Sequence, residues 1–168
     1  MAAGATYEPI ATTTISGNST ASFTFSSIPA TYTDLVLIAN WTQYTGTLRE
    51  LAIQLNGDTG TNYSITEVYG NGTSALSYRR SNYAYLDIAI QTPSVTSLNT
   101  NVVNFMNYAN TTTYKTVLSR HSAAGAEAEA LVGLWRSTAA INSIKLVFEG
   151  AVNFGDGSTF TLYGILAA

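Results

Sequence analysis

Hydrophobic side chains recur at every second position in several short segments, and this period constrains the fold more than any other feature of the chain. Around Phe23, Ile53 and Ile88, apolar residues alternate with small or polar ones. The segment that contains Phe160 and Leu162 repeats the pattern. A period of two places alternate side chains on opposite faces of a β-strand. Each segment is therefore predicted to be a strand with one face on a core.

Two further segments, 35–41 and 131–135, are apolar at nearly every position. A strand that is apolar on both sides is typical of the centre of a sheet that is covered on both faces. We therefore expect both segments to be central strands with material packed on each side. The Ala/Glu alternation of 126–131 also has high helix propensity, but Gly133 follows it closely, and we interpret it as a strand.

Turn-forming residues separate the alternating segments. Glycine combined with Asn or Asp, which adopts positive φ at little cost, occurs at 17–18, 56–58, 70–72 and 155–157. Counting the segments between such turns gives roughly ten strands at spacings of about 8–14 residues. This pattern is typical of an all-β sandwich or barrel, and a chain of 168 residues is long enough for one domain with a substantial core.

The composition restricts the classes of partner. Only 10% of the residues are charged, the formal net charge is −3, and the isoelectric point lies near 4.9. Seven basic residues are too few for a groove that neutralises phosphates, so we expect no nucleic-acid partner. No apolar run approaches the length of a membrane-spanning helix, so we expect no membrane partner.

The low charge also favours a role within an assembly. A surface covered by hydroxyls and amides resists association poorly. The alternative is a secreted glycoprotein, because five Asn-x-Ser/Thr triplets are present, although a chain this rich in Asn, Ser and Thr produces about three by chance.

Cysteine is absent, which excludes disulfides and thiolate metal sites.

Few side chains are suited to acid–base chemistry. His121 is the only imidazole, and no Gly-x-Ser-x-Gly motif accompanies it. We expect His121 to face solvent at the end of a strand. Glu127 and Glu129 share a predicted strand face about 7 Å apart, a spacing that a glycosidase pair can use, but no aromatic platform flanks them. The sequence therefore predicts no catalytic residue and no enzyme.

Two turns offer oxygen ligands for calcium, at 56–58 and 153–156. Neither has the closely spaced acids of an EF-hand loop. Pairs of Asn or Asp with Gly usually serve hairpins, so we interpret both segments as turns. No metal site and no cofactor are predicted.

The segment 78–85 is the strongest candidate for contact with a partner protein. It concentrates tyrosine and arginine, the residue types that are enriched at protein interfaces. The alternative is a hairpin in which arginine side chains lie along tyrosine rings. The residues predicted to contact a partner here are Tyr78, Arg79, Arg80, Tyr83 and Tyr85.

The N-terminus supplies one more candidate contact. Residues 1–8 show no periodicity, so we expect an extended arm there, followed by a single sandwich domain over 9–168. An aromatic side chain on a free arm is a natural anchor. Tyr7 is therefore added to the predicted contact residues.

Several longer stretches resemble a known family. They are FSSIP at 25–29, YTDL at 32–35, NYANTTTYKT at 107–116, STAAINSI at 137–144 and NFGDGSTFTLYGI at 153–165. Together they resemble small β-sandwich virion proteins of tailed bacteriophages, over nearly the whole chain. The motifs consist of strands and turns, and the family brings no catalytic residue with it.

The resemblance implies a fold and a function. The expected fold is an antiparallel jelly-roll β-sandwich of eight to ten strands. The expected function is that of a capsid decoration, or cement, protein on the outer capsid surface, which binds the major capsid protein and bridges its subunits. A homotrimer is favoured because shell lattices have local three-fold positions, and a dimer is the alternative.

Similar domains also occur at the tips of tail fibres. The alternative function is therefore a receptor-binding domain that recognises host surface polysaccharide. The chain begins with methionine and shows no fibrous stalk ahead of the domain, which favours decoration over the fibre tip.

Overall fold

The regular structure of this chain is entirely β. The computed structural model describes residues 6–44, 46–90, 97–123, 126–150 and 152–166. These residues form twelve strands in two antiparallel sheets of eight and four strands. None of them belongs to a helix that could cross a membrane. The predicted all-β sandwich is confirmed, while the jelly-roll connectivity stays a prediction.

The strands are named in chain order. They are β1 (Tyr7–Thr14), β2 (Ser22–Phe25), β3 (Asp34–Trp41), β4 (Leu51–Leu55), β5 (Tyr63–Gly70), β6 (Ala75–Tyr83), β7 (Leu86–Ala89), β8 (Asn99–Phe105), β9 (Lys115–Ala123), β10 (Glu127–Trp135), β11 (Ile144–Phe148) and β12 (Thr159–Ile165). The large sheet has the order β1-β12-β3-β8-β9-β10-β5-β6, and the small sheet the order β2-β11-β4-β7. Strands β1 and β6 are therefore the edges of the large sheet.

The core lies between the sheets and is built from alternate residues of each strand. An aromatic chain runs through it: the Trp41 ring lies 5.3 Å from that of Phe148, which lies 4.7 Å from that of Phe154. Phe160 of β12 extends the chain at 5.1 Å. All four side chains are buried. Each such side chain contributes about 1.5–3 kcal/mol by leaving water, so the alternation seen in the sequence accounts for the packing of the two layers.

The two fully apolar segments differ in how they are covered. Both lie in the interior of the large sheet, as predicted for β3 and β10. On the outer face of β3, Val36 is buried. On the outer face of β10, however, Val132 is 43% exposed. The expectation that β10 is covered on both faces is therefore wrong, because no described element packs over its outer side.

Gly133 marks a close approach of the two sheets. A Cβ atom at this position would lie 2.7 Å from the Leu86 side chain of β7. Only glycine lets β7 pack this tightly on β10. The contact fixes β7 above the inner face of β9 and β10, where several polar side chains are buried.

The N-terminal segment enters the large sheet early. Strand β1 begins at Tyr7, and Tyr7 and Glu8 pair with Ile165 and Gly164 of β12. These two residues, which the sequence assigned to an extended arm, thus lie in an edge strand. Residues 1–5 of the expected arm lie outside the described residues.

Candidate functional site

The predicted contact segment 78–85 comprises the end of edge strand β6 and the turn into β7. The side chains of Tyr78 and Arg79 are exposed. Tyr83 and Tyr85 are half-buried, and their ring centroids lie 6.0 Å apart. The segment therefore presents Tyr78 and Arg79 to solvent and directs its other aromatic side chains partly inward.

Arg80 is engaged within the chain. Its guanidinium contacts carboxylates from three strand ends: Glu50 at 3.1 Å, Asp87 at 3.0 Å and Glu149 at 3.0 Å. The Arg80 side chain is 17% exposed and that of Asp87 fully buried. Arginine has five donors in a rigid plane, so one side chain can join β6 to β4, β7 and β11.

Two tyrosines complete this cluster. The guanidinium carbon of Arg80 lies 5.4 Å from the ring centroid of Tyr78 and 4.7 Å from that of Tyr83. Arg80 Nε donates to the Tyr78 hydroxyl at 3.1 Å, and the Tyr83 hydroxyl donates to Glu149. Arg80 thus lies along two tyrosine rings, the arrangement that the alternative interpretation of this segment, a hairpin, predicted.

Three carboxylates share one guanidinium, so the cluster would carry excess negative charge if all three were ionised. Burial raises the pKa of Asp87, and the adjacent Glu149 raises it further, while Arg80 lowers it. Burial also raises the pKa of Tyr83, followed by its hydrogen bond to Glu149. Asp87 therefore tends to keep its proton and share it with Glu149, which reduces the repulsion within the cluster.

Tyr7 lies far from the segment 78–85. It is 56% exposed on β1, and its ring meets that of Tyr163 edge-on at 6.2 Å. Seven strand spacings, roughly 34 Å, separate β1 from β6 across the sheet. The structure thus does not bring the predicted contact residues together into one patch.

The outer face of β5, β6, β9 and β10 forms a broad exposed surface, which we call the outer face. Val132 lies directly opposite Leu118, and Ala130 lies opposite Val68, so their side chains form apolar cross-strand pairs. The outward residues are Ser64, Thr66, Val68, Gly70, Ala75, Ser77, Arg79, Ser81, Thr116, Leu118, Arg120, Ser122, Ala128, Ala130, Val132 and Leu134. No carboxylate occurs among these described positions, and the only charges are two arginines.

His121 lies in the interior, contrary to the expectation that it faces solvent. It is 2% exposed on the inward face of β9, and its ring stacks on that of Trp41 at 6.0 Å. Its Nε2 lies 3.2 Å from Asn99 Oδ1, and its Nδ1 lies 3.5 Å from Glu129 Oε2. The prediction that His121 faces solvent is wrong because even the positions at the strand end are buried on this face of β9.

Two glutamates of β10 lie beside this imidazole on the inner face, and a third, Glu67, lies on the next strand. Glu129 lies directly opposite His121. Glu127 lies two residues before Glu129 on the same face of β10, and the prediction that these two glutamates share a strand face is confirmed. Glu67 of β5 lies opposite Leu131 and is only 1% exposed. Among the described residues, neither oxygen of Glu67 has a hydrogen-bond partner.

The environment of these carboxylates disfavours charge. Burial raises the pKa of Glu67 to about 7, with further increases from Glu129 and Glu127. Burial also raises the pKa of Glu127. The inner face of β5, β9 and β10 thus gathers acidic side chains whose negative charges are costly in the absence of a counter-charge.

The sequence drew attention to Glu127 and Glu129 but not to Glu67 or Asn99. Glu67 occurs in an alternating strand at an inward position, between Ile65 and Tyr69. A carboxylate at an apolar register position is the signal that identifies it. Its proximity to β10 depends on its pairing with Leu131, which is distant in sequence, and alternation does not reveal that pairing.

No protein-family model matches this sequence, and no curated protein matches it either.

Proposed function

We propose that this protein is a structural component of a tailed-bacteriophage virion, a decoration protein on the outer capsid surface that bridges subunits of the major capsid protein. The stretches that resemble phage virion proteins support the proposal, as does the all-β sandwich. In this proposal the protein binds capsid subunits and catalyses no reaction.

The observation that carries the proposal is the outer face. Monomeric proteins rarely expose a large contiguous apolar patch unless it serves a contact. Here Val68, Leu118 and Val132 lie on neighbouring strands, surrounded by Ser, Thr and Ala, with no carboxylate among the outward described residues. Such a surface can lose its water at little cost, because few charges need desolvation.

A lattice makes a modest contact sufficient. Four strands of about eight residues cover roughly 500 Å², which is below the area of a typical stable interface on one partner. Self-association would present several outer faces to the shell at once, and the linked contacts would reinforce one another. A homotrimer on local three-fold positions fits this requirement best, and a dimer is the alternative.

The copy number in purified virions tests the proposal. Quantitative mass spectrometry against the major capsid protein should find on the order of a hundred copies or more per particle, as repeated lattice positions require. Labelling with an antibody fragment should place them over the capsid shell in electron micrographs. A few dozen copies or fewer, with label at fibre ends, would replace decoration by the fibre-tip function.

A second comparison separates the two functions in the isolated protein. A fibre-tip domain binds host cells directly and loses that binding when exposed loop tyrosines such as Tyr44 or Tyr114 are replaced by alanine. A decoration protein binds capsid shells and leaves host cells unbound. Binding to host cells together with no binding to capsid shells would refute the proposed location on the capsid surface.

A further inference from the structure

We propose that the inner face of β9 and β10 is a binding site for a divalent transition-metal cation such as Zn²⁺ or Mn²⁺, with His121, Glu127 and Glu129 as ligands and the buried Glu67 of β5 as a nearby carboxylate. The site's role is to join two strands at one end of the sandwich. The inference is independent of the proposed function.

The first support is geometric. One ligand atom from each of His121, Glu127 and Glu129 lies within 4.8 Å of the others. The antiparallel pairing of β9 with β10 sets this distance, because Glu129 is directly opposite His121. Ligands about 2.0–2.2 Å from one cation lie roughly 3–4 Å apart, so small rotations of the two carboxylates close the set.

The second support is Glu67. It is buried to 1% exposure, and both of its carboxylate oxygens lack a hydrogen-bond partner among the residues described. Glu129 and Glu127 are near enough to act on its charge, which places all three carboxylates in one cluster. A buried carboxylate without partners is strongly unfavourable, and a cation held by the neighbouring glutamates would offset its charge.

The nearest guanidinium does not fill this role. Arg80 lies close enough to act on Glu67, but its donors are bonded to Glu50, Asp87 and Glu149. Glu67 thus has no dedicated basic side chain among the described residues. An external cation is the counter-charge that it lacks.

The third support is the orientation of His121. The amide nitrogen of Asn99 donates to the Ser97 carbonyl at 3.0 Å, which turns its oxygen toward the ring. That oxygen only accepts, so His121 Nε2 carries the hydrogen and donates it across 3.2 Å. In the neutral ring, Nδ1 then points its lone pair toward Glu129 Oε2 at 3.5 Å.

Glu129 Oε2 also accepts from the Ile90 N–H at 3.1 Å, so the atom of this pair without a hydrogen-bond partner among the described residues is Nδ1 of His121. A proton on Nδ1 would satisfy His121 but would leave Glu67 and the Oε1 of Glu127 without partners. A metal cation would bind His121 and Glu127 and offset the charge of Glu67. A ligand histidine that donates its other N–H to a fixed acceptor is the usual arrangement in metal sites, and Asn99 supplies that acceptor here.

The donor set indicates the class of cation. One imidazole with two carboxylates suits Zn²⁺ or Mn²⁺ better than Ca²⁺, which prefers oxygen ligands alone. Glu127 is half-buried, whereas His121 and Glu129 are buried, so the site is nearest to solvent at the start of β10.

Metal titration of the tag-free, chelator-treated full chain tests the proposal. The probes are Zn²⁺ and Mn²⁺ alone, with Ca²⁺ and Mg²⁺ for comparison, followed by calorimetry and metal analysis. We expect one Zn²⁺ or Mn²⁺ per chain, and pulsed EPR of bound Mn²⁺ should show coupling to an imidazole nitrogen. Absence of binding at millimolar metal, or binding without nitrogen coupling, would overturn the site.

Ligand variants locate the cation. Glu129→Gln should weaken binding by about 10-fold or more. Glu127→Gln should do the same, and because Glu127 is only half-buried at the start of β10, that variant also decides the matter if Glu129→Gln does not fold. Asp156→Asn is the matched control, since it removes an exposed carboxylate from a turn that also offers oxygen ligands. Equal binding by all three variants would refute the assignment.

Discussion

At the scale of single residues, Arg80 illustrates how one side chain joins elements that are distant in sequence. Its three carboxylate partners come from β4, β7 and β11 or the residues beside them, and the guanidinium is their shared counter-charge. Removing one member of a buried ionic group is costly because the others keep charges that water cannot reach. The neighbouring Arg79 is exposed and faces the opposite side of β6.

This contrast between neighbours leads to a stability prediction. Arg80→Met should lower the free energy of unfolding by about 2–4 kcal/mol, with partial exposure holding the loss below that of a fully buried group. Arg79→Met should change it by less than about 0.5 kcal/mol. Urea denaturation measures both. Equal effects of the two variants would show that the carboxylates do not depend on Arg80.

A pH dependence follows from Asp87. Burial and then Glu149 raise its pKa above the ordinary value of 3.8, so the folded chain keeps a proton that the unfolded chain releases. The stabilisation is complete below pH 3.8 and is lost as the pH rises toward the folded pKa, by up to about 1.4 kcal/mol per pH unit. Asp87→Asn should show a smaller decline between pH 5 and 9 in urea denaturation. An unchanged slope in that variant would contradict the prediction.

At the scale of elements, the strands with clear hydrophobic alternation were the predictable ones. The segments around Phe23, Ile53, Ile88 and Phe160 form β2, β4, β7 and β12, and the strand interpretation of 126–131 is confirmed. β1 was missed because YEPIATTT has no apolar period and is stabilised by its pairing with β12. The exposure of β10 could not be derived either, since its apolar outer side looks the same in sequence whether or not another layer covers it.

The contact between β7 and β10 yields a prediction for Gly133. Gly133→Ala would place a methyl group 2.7 Å from Leu86, and relieving that clash should cost about 1–3 kcal/mol of stability. Gly70→Ala is the matched control on β5, where the nearest neighbour of the new methyl group would be the Ser74 carbonyl oxygen, 3.8 Å away. Thermal unfolding of both variants compares them.

A double-mutant cycle identifies the cause of that loss. In a Leu86→Ala background, Gly133→Ala should cost close to nothing, because the clashing side chain is gone. A loss of the same size in both backgrounds would assign the effect to the β10 backbone and not to the approach of the two sheets.

At the scale of the whole molecule, the sequence specified two layers but not their arrangement. Alternation and turns predicted an all-β sandwich or barrel with a low-charge surface, and the sandwich is confirmed. The eight-and-four division and the insertion of β12 between β1 and β3 depend on pairings between distant segments. The cluster of Glu67, Glu129 and His121 has the same origin, because it exists only where β5, β10 and β9 become neighbours.

If the protein decorates capsids through its outer face, charged substitutions on that face should weaken its binding to capsid shells. Leu118→Glu and Val132→Glu each put a carboxylate on an exposed apolar position, so the fold should persist while contact with a partner desolvates a charge. A penalty of about 2 kcal/mol corresponds to roughly 30-fold weaker binding to capsid shells, measured by cosedimentation. Leu48→Glu is the control, because Leu48 is exposed to a similar extent, 38% against 42% for Leu118, but precedes β4 of the small sheet. Binding that falls with Leu48→Glu and survives the other two changes would move the contact surface to the opposite side of the sandwich.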